Sequence, residues 1–304
     1  MTDTTETYWD ADGQSLQTFA FNIVTLGGDR MAPIPVRGDD ITVPYMPGTV
    51  WTPKVPNQRV ISLGMWVIGA NEDGTIPDDE DGRRTFDKNW RMLRRLLWRY
   101  RTQFTLTKRF WVPTEDLEAA GVDITELPQN GSWSLISASA KASYHSGMEP
   151  MMSGPSRAAF VVNLLLSDPY FYGDTITIPF STSTEPEDPG PVQGVFILGD
   201  DRTTEITFDY EGPLTSPTFT LTEEPSTPWI RYGSDVADGD SAQVKVKTFS
   251  AVHTDSLATY GSSGYVQHYG DRFWFFLDPG ERTIALSVQE GTGTADLIYR
   301  PAYL

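Results

Sequence analysis

The chain has 304 residues, 39% of them hydrophobic and 12% aromatic, with no cysteine and a formal net charge of −18. That length can bury two ordinary cores, and the composition excludes a disordered chain. The missing thiols exclude disulfides, thiolate catalysis and Cys-based zinc sites and point to synthesis inside a cell, while the charge opposes general binding to DNA or an anionic membrane.

The stretch from Met1 to Asp12 is acidic and Thr-rich. It has no basic region leading into an apolar run, so no secretory signal is expected. Nowhere does the chain reach the roughly 18 apolar residues of a spanning helix, and no membrane partner is expected. Gln17 to Leu26 predicts a strand running into the turn signal Gly27-Gly28. Ile41 to Pro56, broken by Pro44, Pro47, Gly48 and Pro53, predicts extended or looped chain, and Val60 to Ile68 predicts a strand. Asn71 to Gly82 reads as a solvated acidic loop.

One long helix is predicted over about Thr85 to Arg101. Phe86, Trp90, Leu93, Leu97 and Tyr100 recur at spacings of three and four, which places them on one face. Ten Lys and Arg residues lie between Arg83 and Arg109, opposed only by Asp87. Lys88, Arg91, Arg95 and Arg99 fall largely away from the apolar stripe, and Arg91, Arg95 and Arg99 are the candidate subunit contact. They fit a solvated face, a docking face for an acidic subunit, or a nucleic-acid contact.

Phe104 to Val112, Ser132 to His145 and Arg157 to Leu166 predict further strands, the last a near-continuous apolar run of the kind buried on both faces. The domain boundary is expected at Ser167-Asp168-Pro169, giving units 1–167 and 168–304. From Asp168 onward there are 21 acidic and seven basic residues. No helix is predicted there. Short runs recur between turns at Thr175–Phe180, Gly194–Leu198, Thr204–Tyr210, Thr218–Glu223, Trp229–Tyr232, Ala242–Ser250, Phe273–Leu277, Thr283–Gln289 and Ala295–Tyr299, a spacing that predicts an antiparallel sandwich.

Chemical motifs are sparse. His145, His253 and His268 are far apart and form no zinc-ligand pair, and Gly261-Ser262-Ser263-Gly264 lacks the spacing of a nucleophile elbow. Asn71, Asp73, Asp78, Asp79, Glu80 and Asp81 miss the EF-hand spacing and read better as a solvated loop. Asp235 and Asp240 flank a turn. No catalytic residue, metal or cofactor is nominated. Trp229, Tyr232, Tyr265 and Trp274 are candidates to stack on a sugar, with core packing the competing reading.

The order of several motifs carries more. Ile61-Ser62-Leu63-Gly64-Met65-Trp66-Val67, then Phe86-Asp87-Lys88-Asn89-Trp90 with its basic continuation, resembles the distal tail proteins of long-tailed siphoviruses. More narrowly, it resembles minor tail proteins of phages infecting actinobacteria. Arg37-Gly38-Asp39-Asp40 with Val43-Pro44-Tyr45-Met46-Pro47-Gly48, Asp168-Pro169-Tyr170-Phe171-Tyr172-Gly173, and the closing Leu277-Asp278-Pro279-Gly280 and Tyr299-Arg300-Pro301-Ala302-Tyr303-Leu304 fit the same group.

The resemblance implies a mainly β chain. An N-terminal β-sandwich or split-barrel domain with one long helix would close into a hexameric ring, and a C-terminal galectin-like sandwich would project outward. It further implies a non-enzymatic virion protein made in the bacterial cytoplasm, joining the tail tube protein to a tail-tip hub, with DNA passing through unbound. A carbohydrate-binding adhesion protein with weak glycan affinity is the alternative, and a tail-associated hydrolase is a third reading.

Overall fold

Alternating apolar residues build most of this chain into antiparallel sheets. The computed structural model describes residues 9–23, 34–38, 41–42, 49–50, 55–182, 192–222, 227–269 and 275–304. Gly27-Gly28 and Val43 to Gly48 lie outside the described residues. The chain forms two compact units, one of residues 1–110, 137–171 and 304, the other of 111–136 and 172–303.

The first unit is organised on one sheet. Its strands are β1 (Trp9–Ala11), β2 (Gln14–Ser15), β3 (Phe21–Ile23), β4 (Arg59–Ile68), β5 (Phe104–Pro113), β6 (Trp133–Gly147), β7 (Met151–Gly154) and β8 (Arg157–Leu166), with the path β2-β1-β5-β6-β8-β4-β3 and β7 alongside β8. β8 pairs with β4 over its whole length, from Arg157 opposite Ile68 to Leu166 opposite Arg59. Ala158, Phe160, Val162, Leu164 and Leu166 are buried, whereas Val161 on the other face is exposed.

The expectation that β8 is buried on both faces is therefore corrected. An antiparallel sheet can leave one face polar, and here Asn163 accepts a hydrogen bond from Ser62 Oγ at 2.7 Å and donates one to Ser146 Oγ at 2.9 Å.

The long helix α1 spans Asp79–Leu97 and contacts β4. It begins six residues earlier than the apolar spacing predicts, because Glu80 and Asp81 suit the positive end of the helix dipole and join the first turn. It also ends earlier. Trp98 leaves helical geometry at ψ 60°, so Tyr100 is exposed and not part of the apolar stripe. Phe86, Leu93, Leu96 and Leu97 are buried, and Trp90 meets Phe160 edge-on at 5.1 Å. The buried Asn89 donates from Nδ2 to the carbonyls of Ile68 (2.9 Å) and Ala70 (2.8 Å), tying the helix to the end of β4. Gly69 is needed at that junction, since a Cβ there would lie 2.0 Å from the Gly82 carbonyl oxygen.

The second unit has two facing antiparallel sheets. One runs β9 (Ile176–Ser181), β19 (Thr294–Tyr299), β11 (Ile206–Glu211), β14 (Ser241–Lys245), β15 (Ser250–Thr254), β16 (Thr259–Gly261). The other runs β10 (Val192–Ile197), β18 (Gly280–Ser287), β12 (Thr218–Leu221), β13 (Trp229–Tyr232), β17 (Val266–Tyr269). Phe208 of the first sheet stacks on Phe219 of the second at 4.5 Å, and Phe180 meets Phe219 edge-on at 5.1 Å, so the core lies between them. Burying such rings is worth about 1.5–3 kcal/mol each.

The stretch expected as one strand, Ala242 to Ser250, is instead the hairpin β14–β15, which turns through Phe249 at φ 50°. A short helix α2, Thr114–Ala119, brings Leu117 and Ala120 into this unit's core. Six residues are too few to show a helical period in sequence.

Candidate functional site

α1 of the first unit carries its cations on the side away from the apolar stripe. Lys88, Arg91 and Arg95 follow at spacings of three and four and line one groove of about 690 Å³, together with Gln14, Arg84, Asp87, Met92, Leu96 and Arg99. A second groove of about 840 Å³ shares Gln14, Lys88 and Met92 with it and continues past Phe19, Asn22 and Asn71. Phe19 is 61% exposed and Met92 42% exposed, so an apolar shelf adjoins the cations.

The cations differ in what they meet. Arg84 bridges Glu80 at 2.9 Å and Asp81 at 3.3 Å in nearly full solvent, where such pairs are weak. Arg94 lies over the Trp98 ring at 4.3 Å. Among the described residues, the side chains of Lys88, Arg91 and Arg95 make no ion pair or hydrogen bond.

Arg99 stands apart from the other two sequence-predicted contact residues. It lies beyond the end of α1, is half-buried and pairs with Asp12. Asp12 sits in the two-residue turn between β1 and β2, where Asp12 and Gly13 both take positive φ, the geometry that an Asp-Gly pair favours. Its Oδ1 accepts from the Thr105 backbone N–H at 2.8 Å. That hydrogen bond, with Arg99 and Lys141 nearby, holds the Asp12 carboxyl below its ordinary value. Arg99 thus braces a hairpin. Lys88 was legible as part of the basic face, whereas sequence reasoning missed Gln14, Phe19 and Met92 as its neighbours. The i, i+3, i+7 spacing of Lys88, Arg91 and Arg95 was the available signal.

Three of the four sugar-stacking candidates lie among the described residues, and their surroundings differ. Tyr232 is 0% exposed, and its hydroxyl lies 3.0 Å from Nδ1 of His253, itself only 4% exposed. His253 Nε2 lies 3.5 Å from Asp240, and Tyr260 stacks on the imidazole at 5.2 Å. Tyr232 therefore belongs to the core, because its inward register on β13 points it between the sheets, and it cannot stack on a ligand. Tyr265 is 51% exposed and meets Tyr232 edge-on at 6.3 Å. Trp229 is half-buried with Arg231 over its ring at 5.1 Å. Trp274 lies outside the described residues.

Within the acidic loop before α1, Asp73 accepts from the Thr75 N–H and hydroxyl at 2.9 and 2.6 Å, and these hydrogen bonds lower its carboxyl pKa. Among the described residues, no group of three or more His, Cys, Asp or Glu side chains could hold a metal ion, and no helix is long and apolar enough to cross a membrane.

No protein-family model matches the sequence, and no curated protein matches it. The fold is similar to that of the SPP1 Dit protein (gp 19.1), described as a paradigm of the hub adsorption apparatus in phages infecting Gram-positive bacteria. The TM-score is 0.56 at 15% identity, over 96% of this chain and 98% of that one. At that identity the likeness establishes fold alone.

Two chains of phage P2 baseplate structures, in the activated conformation with Sr and with Ca, also align. One aligns at TM-score 0.35 and 6% identity over 93% of this chain and 92% of that one, the other at 0.36 and 7% over 94% and 92%. Those scores are too low to carry an argument.

Proposed function

We propose that this chain is a structural protein of a phage virion tail, placed at the distal end of the tail tube where the tube meets the tail-tip hub. The observation that carries the reading is the coverage of both units by a single Dit chain, nearly end to end, since a shared sandwich alone would align only half. The motif order from Ile61 to Trp98 and the closing segment to Leu304 agree with it.

In this reading residues 1–167 form the ring, a hexamer, and residues 168–304 form an outward, galectin-like sandwich. The tail tube protein and the hub are the neighbours, and Arg91 and Arg95 contribute to subunit contact, with Arg99 bracing the hairpin behind them. The net charge of −18 repels phosphate, which suits a passage that DNA crosses without specific binding. The protein is made in the bacterial cytoplasm, in actinobacteria on the narrower resemblance. It has no catalytic step to perform.

Negative-stain electron microscopy of the purified chain tests this reading directly. Six-fold rings with a central opening are expected. Particles that stay single at high concentration, alone and with the tail tube protein, overturn it.

A further inference from the structure

We propose that the groove along α1, formed by Lys88, Arg91 and Arg95 with the shelf of Met92 and Phe19, is the seat of an acidic face from residues 168–304 of a second copy of this chain. The inference rests on the ring reading and adds to it a contact between neighbouring copies.

Three observations carry it. First, three like charges sit within one face of a helix, where neighbours three and four apart repel one another by a few tenths of a kcal/mol. Among the described residues none of the three makes an ion pair, and Asp87 is the one acidic side chain lining the same groove. Second, the adjoining shelf is apolar and exposed. Met92, unbranched and adaptable, and Phe19 supply the centre of a contact whose rim is charged, the usual anatomy of a binding surface.

Third, charge selects the occupant. Residues 168–304 carry 21 acidic side chains against seven basic, so any second copy brings a strongly negative surface at high local concentration. Groove against groove would oppose cations with cations. The groove therefore meets a different face of its neighbour, and a contact between unlike faces propagates into a ring or a filament.

Lys88 provides a direct readout, because it is the one amine among the three cations. Carbodiimide coupling on a mixture of isotopically light and heavy chains should join Lys88 to Asp or Glu side chains of 168–304 across light–heavy pairs. Finding only light–light and heavy–heavy links, or no link from Lys88, overturns the proposal.

Light scattering supplies the second arm. Lys88→Glu with Arg91→Glu and Arg95→Glu should weaken self-assembly about tenfold or more while the circular dichroism spectrum is unchanged. Single exposed pairs are modest, but three are reversed together. Wild-type assembly should also weaken with added salt. A triple variant that assembles like the wild type overturns the groove assignment and leaves the ring reading standing. A wild-type chain that never assembles removes both. If the wild type binds duplex DNA with steep salt dependence, and the triple variant loses that binding while assembling normally, the occupant is nucleic acid and the proposal fails.

Discussion

Replacing Asn89 with Ala removes a polar side chain that joins α1 to the end of β4. The amide is buried and donates twice, at 2.9 Å to Ile68 and 2.8 Å to Ala70. Each hydrogen bond contributes about 1 kcal/mol net, and a carbonyl left without its donor in the interior costs about 1–3 kcal/mol. The expected loss is about 2–4 kcal/mol. For a unit of this size each kcal/mol moves the melting temperature by roughly 2–4 °C, so the first unit should melt about 5–15 °C lower.

Asn89→Asp should be worse. It keeps the volume but turns the donor into a carboxylate facing two carbonyl oxygens. Differential scanning calorimetry of the full chain is the assay, with chymotryptic cleavage near Trp90 and Trp98 reporting local opening of the helix. A shift below about 1 °C for Asn89→Ala, or Asp tolerated as well as Ala, would show that the helix is held by its apolar face alone and would refute the reasoning.

Two further outcomes concern the second unit. Asp209 on β11 lies directly opposite Asp296 on β19; desolvation first, then the neighbouring carboxylate, raises the Asp209 pKa above 3.8, and desolvation with Glu211 raises that of Asp296. The folded state thus holds these protons more tightly than the unfolded chain, so stability falls as pH rises from the ordinary carboxylate value through the raised folded one. Asp209→Asn should melt higher than the wild type at pH 7 and lose that advantage below about pH 4; thermal melts across pH that show no such convergence argue against the like-charge pair. Tyr210 is fully buried, and among the described residues its hydroxyl has no hydrogen-bond partner. Tyr210→Phe should therefore raise stability by about 1 kcal/mol in urea unfolding, whereas a loss of that size would mean that the hydroxyl is satisfied.

Local pattern and long-range contact divide what was legible here. The apolar spacing of Phe86, Trp90, Leu93 and Leu97 is enough to predict a helix, because a 3.6-residue period needs no knowledge of the partner. The runs Val60 to Ile68 and Arg157 to Leu166 likewise predict strands, and the turn-punctuated second half predicts an antiparallel sandwich. The basic character of α1 is also in the sequence alone.

Which of its cations are free is not. Arg99 and Asp12 are 87 residues apart, and only their meeting across the β1–β2 hairpin separates Arg99 from Lys88, Arg91 and Arg95. Tyr232 and Tyr265 look alike in sequence, yet the register of β13 buries one between two sheets while the other stays half in solvent. Residues 111–136 fall before the boundary expected at Asp168, and only the core that receives Leu117 and Ile124 assigns them to the second unit. Periodicity reports which side of an element is apolar; what that side meets is decided by residues distant in the chain, through contacts that leave no mark on local composition.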